Sequence, residues 1–393
     1  MKTPLQVTII AILVKSGGKP PHDRYSLFRQ YYDIMVKREK QKEVVATLND
    51  NTVWLDDIHC MIGYRLQNES EMEQNASAEI SREELEKEIS SYVKHNQDDF
   101  YEKEGRNKEK EAEFLMTITQ RICFLNENRE GFYSFTIRSM QEFFAGTYLV
   151  KGRSDEEAMR NITGIAYSSY WRNVLLFALG YIELERKYLE TKIGLLCGQM
   201  NGAENITRKE YTSDNVCLFG SWLAVDILTE NIFAGKAQGK YIQLAARAMD
   251  LYECANYNNF SAITGIQRDR LVCYVKENYK DSTEKIIKSA RLYFKLDENE
   301  KNDLTQEIMD ALSKLEDEHL LMLELEIVKC GMQVKGIITD RLKAALEKGK
   351  IKQFLSLKLL ETLLYSIKKE DSMELKKNML LQCLYSSGGN SRF

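Results

Sequence analysis

The sequence predicts a mainly α-helical fold: a helical subdomain, a winged helix with one β-hairpin, and then a long α-helical array. Three observations predict it. Proline occurs only at Pro4, Pro20 and Pro21, and glycine only 21 times in 393 residues, fewer turn residues than sheet-rich chains need. Apolar residues recur at steps of three and four through most of the chain. A period of two is confined to one short stretch after Cys123.

The elements read in order as follows. Thr3 is placed to N-cap a helix with Pro4 at its first position, and Gly17 follows its end. The same run, Leu5 to Val14, has the outline of a short signal peptide, but Gln6 and Thr8 interrupt it and no A-x-A site follows. It is too short to span a bilayer. Tyr25, Phe28, Tyr32 and Met35 mark an amphipathic helix over Arg24–Lys42, closed by "KREKQK". A further helix covers Thr52–Gln67. The charged stretch from Glu69 to Glu113 mixes both signs, which fits solvated helix surface with a loop at Asn96–Lys110.

The period then changes. In "ICFLNENREGFYSFTI", Tyr133, Phe135 and Ile137 alternate with Ser134 and Thr136 after a turn at Gly131, which predicts a hairpin over Ile122–Ile137. Ser139 and Glu142 have capping-box spacing at the start of an aromatic-rich helix that carries Phe143, Phe144 and Tyr148 and ends at Gly152. From Ser154 onward the chain reads as helices of 12 to 20 residues or so with short joins, as in helical arrays. "SYWRNVLLFALGYIELE", "CLFGSWLAVDILTENIF", "YIQLAARAMDLYECA" and "FLSLKLLETLLYSI" are examples. No strict period runs through them, so a solenoid of helix pairs stays open. The terminal "SSGGNSRF" reads as frayed.

Composition narrows the function. With a hydrophobic fraction of 44%, the chain has room for two or three domains with cores. The net charge of −4 offers no global attraction to nucleic acid or to an anionic membrane. The eight cysteines form no C-x-x-C pair and the four histidines are scattered, which fits reduced thiols in a cytoplasmic protein and singles out no metal or catalytic set.

Two glycine–lysine stretches resemble phosphate loops and fail on chemistry. A phosphate loop needs G-x-x-x-x-G-K-[ST], where backbone N–H groups cradle phosphate and a hydroxyl holds magnesium. In "KSGGKPPHDR", Leu13 stands where the first glycine should be, and Lys19 is followed by Pro20 and Pro21, which offer neither N–H nor hydroxyl. In "AGKAQGKYIQ", Gly235 and Gly239 are too close together and Tyr241 replaces the hydroxyl. Both read as turns between helices.

Three stretches together resemble a known family. "MKTPLQVTIIAILVKSGGKPPHDRYSLFRQYYDIMVKRE" is similar to the helical segment that follows the nucleotide-binding core of bacterial NACHT-type STAND ATPases. "FYSFTIRSMQEFFAGTYLV" resembles the F-x-[HV]-R-S-x-Q-E-[FY]-x-A block of their winged helix, and "YWRNVLLFALG" a tryptophan-containing segment beyond it. The likeness covers about the first 180 residues. It implies residues 1–50 as the helical subdomain, 51–152 as the winged-helix-like domain and 153–393 as a C-terminal helical sensor array. It also implies that the true phosphate loop lies upstream, so that Met1 is an internal methionine of a longer product or the start of a truncated frame.

By the same resemblance, Pro4 matches the proline that lies against adenine. Ile137 occupies the position where many relatives carry a phosphate-contacting histidine, and it cannot donate a hydrogen bond. Arg138 beside it is the nucleotide-proximal candidate, with a surface salt bridge as the other reading of that residue. The implied role is the regulatory and sensor portion of a signalling or antiviral-defence switch, with no catalytic site and no cofactor on this chain. ATP or ADP with magnesium is expected in the full-length protein. Expected partners are the upstream nucleotide-binding core, a protein or other trigger ligand at the array and, on activation, further copies of the same chain. A membrane or nucleic acid is not expected. The rival readings are a stand-alone helical-repeat scaffold that binds protein and a winged-helix DNA binder, which the acidic balance opposes.

Overall fold

The computed structural model describes residues 3–41, 52–72, 79–95, 124–202 and 218–233, with a few single positions further on. The chain divides into two compact units, residues 1–214 with 226–236 and residues 215–225 with 237–393. The described residues are mainly helical, with a small three-stranded sheet. Among them, no helix is long and apolar enough to cross a membrane. "YIQLAARAMDLYECA" apart from Leu244, "FLSLKLLETLLYSI", the loop at Asn96–Lys110, the Ala234–Gln243 stretch and the terminal tail lie outside the described residues.

Helix α1 spans Pro4–Lys15 and begins as its sequence dictates. The Thr3 hydroxyl accepts the Gln6 N–H at 3.3 Å, and the Gln6 side chain accepts the Thr3 N–H at 2.9 Å. Gly17 follows in the left-handed region, with φ of 80°. The Gly18 N–H bonds back to the Leu13 carbonyl at 3.0 Å, closing the helix end. The "SGGKPP" stretch is therefore an exposed turn leading into α2, Arg24–Gln41. Asp23 caps α2 by accepting the Ser26 N–H at 2.7 Å.

Helix α3 spans Thr52–Met72, followed by a two-residue strand β1 at Ile80–Ser81 and helix α4 at Arg82–His95. The charged "REELEKE" region is amphipathic: Leu85 and Ile89 are buried, and Ser81 forms a capping box with Glu84. Strands β2 (Leu125–Arg129) and β3 (Phe132–Phe135) form the expected hairpin, over a shorter range than Ile122–Ile137. Gly131, with φ of 76°, makes its turn. Strand β1 adds antiparallel to β3, so the sheet order is β1-β3-β2. The alternation is imperfect at Ser134, which is buried and accepts a hydrogen bond from the Asn128 amide.

Helix α5, Arg138–Val150, is the centre of the first unit. Ten of its residues are buried, including Gln141, Glu142 and Thr147. Its start corrects one expectation. Ile137 is the N-cap, with no side-chain hydrogen bond, so Ser139 already lies inside the helix and forms no capping box with Glu142. Glu142 is instead drawn into the interior by cationic and amide partners. The box appears at the next helix, α6 (Asp155–Ile165), where Ser154 and Glu157 bond reciprocally. Helix α7 spans Arg172–Glu185, a single 3₁₀ turn covers Lys187–Leu189, and α8 (Glu190–Gln199) and α9 (Phe219–Thr229) follow.

One apolar core joins α1, α2, α3, α4, the sheet, α5 and α7. Phe143 packs against Tyr25 and Phe28 of α2 and Phe177 of α7, with ring centroids 5.2, 6.2 and 5.7 Å away. Phe144 points to the other side, against Tyr32, His59, Phe124 and Phe135. Both rings are fully buried.

Candidate functional site

Two polar clusters flank α5. The first forms at its N-terminal end around Glu142, whose side chain is only 7% exposed. The Arg138 guanidinium, one turn earlier on the same face, approaches it at 3.6 Å and lies 5.5 Å over the Tyr170 ring. Arg24, at the start of α2, approaches the other carboxylate oxygen at 4.0 Å. Asn173 of α7 ties the two together: its amide N–H donates to Glu142 at 3.2 Å, and its oxygen accepts from Arg24 at 3.1 Å. Arg24 also reaches Glu230 at 3.8 Å and lies 4.4 Å over Phe177. Burial raises the Glu230 carboxyl above its ordinary range, and Arg24 partly offsets that. Three helix starts thus share one buried carboxylate.

The second cluster lies at the opposite end of α5. Lys151 donates to Asp56, and to Asp57 at 2.6 Å. Arg29 of α2 donates to Asp56 at 2.9 Å and pairs with Asp33 at 3.3 Å. Tyr92 of α4 donates to Asp57 at 2.8 Å. Burial by itself would lower the Lys151 and Arg29 values, yet Asp56 and its neighbouring carboxylates hold both cations above their ordinary values. Beside the cluster, burial pushes the Cys60 thiol well up and the His59 imidazole down to about 4. A nucleophilic cysteine needs the opposite shift and access to solvent. The chemistry of this cluster is therefore cohesion between helices. Among the described residues, no group of three His, Cys, Asp or Glu side chains is placed to hold a metal ion.

The residues singled out in the sequence fall as follows. Pro4 is exposed at the first position of α1, and Arg138 is half-exposed at the first position of α5. Helix α1 packs mainly on α2, whereas α5 packs mainly on α3 and α7, so the two residues belong to elements without extensive mutual packing. Ile137 is partly buried against the core. Sequence reasoning missed Arg24, Asn173 and the Asp56–Lys151 pair. The doublet Asp56–Asp57 inside the otherwise apolar run "WLDDIHCMI" was the available signal, because carboxylates on a core-facing helix require cationic partners.

No family model, curated protein or solved structure matches this chain. What the described residues define is a mainly helical structure with a small antiparallel sheet and an aromatic core around α5.

Proposed function

We propose that this chain is the regulatory and sensor portion of a bacterial NACHT-type STAND signalling or defence protein. Its phosphate loop would lie in an upstream nucleotide-binding core. The observation that carries the reading is the sheet order β1-β3-β2, with β1 between α3 and α4. A helix, a short strand, a helix and, beyond residues 96–123, a hairpin whose second strand is central support a winged-helix reading. The family-like block "RSMQEFFAG" then enters the core directly behind that hairpin. In this reading Pro4 and Arg138 are the nucleotide-proximal residues, and the C-terminal helices form the array that receives the trigger.

The test is the coding DNA upstream of Met1 together with the encoded full-length product. An in-frame G-x-x-x-x-G-K-[ST], and a purified product that retains ADP and loses it on Arg138→Ala, support the reading. An upstream frame without a phosphate loop sinks it and leaves a helical-repeat scaffold that binds another protein.

A further inference from the structure

The end of α9 carries charge that opposes its own helix dipole. Asp226 lies in the last turn and Glu230 directly after it. Carboxylates there face the partial negative charge of a helix C-terminus. Helices α2 and α7 have the converse mismatch, because each begins with an arginine, Arg24 and Arg172, at the positive end of its dipole. The fold sets the two mismatches against each other. Arg172 donates from Nε to Asp226 at 2.5 Å, and Arg24 approaches Glu230 at 3.8 Å. Asp226 and Glu230 are one turn apart, so a single edge of the helix end meets two helix starts. Charges that cost each helix separately stabilise the three together.

This helix end is attached differently from the core helices. The division between the two compact units falls inside α9, and Asp226–Lys236 belong with the first. Ile227, Leu228, Ile232 and Phe233 are buried, yet the last turn of α9 packs extensively on no other described helix or strand. By contrast, Phe177 of α7 meets Phe28 of α2 at 5.1 Å and Phe143 of α5 at 5.7 Å. Beyond the helix, Asn231 is left-handed, with φ of 60°, and the Ile232 N–H closes the end on the Ile227 carbonyl at 3.0 Å. Phe233 is left-handed as well, with φ of 59°. That backbone is costly for a bulky side chain and persists only where its surroundings enforce it.

We propose that Asp226 and Glu230 form an ionic latch. It holds the last turn of α9 and the bend after it to the starts of α2 and α7. It opens when the charge pairing is lost, while the core around α5 stays folded. Opening strands no charge on the core side at Arg24, because Glu142 and Asn173 remain beside it. Relaxation of the bend at Phe233 favours the open form. The inference rests on charge placement and packing and does not depend on the function proposed above.

Hydrogen exchange by mass spectrometry on the whole chain tests it. In Asp226→Asn with Glu230→Gln, amides of Leu228–Phe233 are expected to exchange faster by on the order of tenfold, the reach of two part-exposed ion pairs. Amides of Phe143–Thr147 and Leu175–Leu179 are expected to keep their protection. Arg172→Gln alone should accelerate the same segment, and adding Asp226→Asn to it should bring no further change, since both remove one pair. In the unaltered chain under rising sub-denaturing guanidinium, Leu228–Phe233 should open with a smaller denaturant slope than the core segments. Unchanged exchange in the neutralised variant overturns the latch, as do additive effects of Arg172→Gln and Asp226→Asn. Should the variants not fold, the unaltered chain decides: a segment that opens only with the core has no latch.

Discussion

His59 is the residue whose chemistry conflicts most with its surroundings. Its ring stacks on Phe144 at 5.0 Å and meets Tyr32, Phe124 and Phe135 edge-on or tilted. Nδ1 lies 3.3 Å from the Tyr32 hydroxyl, while buried Nε2 has no hydrogen-bond partner. Burial lowers its pKa from 6.5 to about 4, although Asp56 pulls the other way. The unfolded chain therefore binds the proton first as pH falls. Stability that is complete above pH 6.5 is lost progressively down to about pH 4, and once both states are protonated no further loss accrues. At about 1.4 kcal/mol per unit, the loss is about 3 kcal/mol. Urea unfolding at several pH values should show it in the native protein, and His59→Gln should flatten the profile between pH 6.5 and 4 whatever its absolute stability. An unchanged slope in His59→Gln would assign the acid sensitivity elsewhere. At this scale the sequence reads unevenly. Phe143 and Phe144 are legible as anchors because adjacent aromatics on a helix demand burial on two faces. Glu142 misleads because S-x-x-E is a local pattern, whereas its actual partners include Arg24 on α2 and Asn173 on α7.

Among the elements, α5 shows why the same substitution can change sign from one helix to another. Alanine is the better helix former by about 1 kcal/mol, so propensity alone favours any helical Gly→Ala change. Gly164 of α6 has nothing within 4 Å of the position its Cβ would take. Gly164→Ala should therefore raise stability by roughly 0.5–1 kcal/mol. Gly146 of α5 faces backbone atoms of α7 at 2.6 and 2.9 Å, which cannot rotate away as the tip of a side chain could. Gly146→Ala should lower stability by about 1–3 kcal/mol, the range for overpacking. Parallel thermal or guanidinium unfolding of the two variants checks both signs, and a destabilised Gly164→Ala or a neutral Gly146→Ala would refute the packing argument. Helix α1 was legible to its ends because Thr3, Pro4 and Gly17 act within one turn of their own positions. Strand β1 was not, since two residues carry no period and Ile80–Ser81 pair only with residues more than fifty positions away in β3.

For the whole molecule, the question is whether a chain with two glycine–lysine stretches handles nucleotide by itself. The mainly helical character of the described residues was legible, because scarcity of proline and glycine is a property of the entire chain. The junction of α5 and α7 was not, because Gly146 acts on residues of another helix and no spacing in the sequence records that meeting. The turn at Gly17–Pro21 bears on the question directly. Gly17 to Pro20 are exposed between α1 and α2, and Gly17 and Gly18 spend their N–H groups on the Val14 and Leu13 carbonyls at 3.0 Å each. Phosphate recognition by a loop depends on several free N–H groups converging on one point, with a hydroxyl for magnesium. Here two donors are consumed by the helix end, two prolines supply none, and Lys19 has no cradle around it. The isolated chain should neither bind ATP–magnesium at micromolar concentration nor turn it over. Isothermal titration, with a phosphate-release assay on the same sample, measures both. Heat of binding accompanied by turnover would overturn the expectation, and Lys19→Ala would then show whether this turn is responsible.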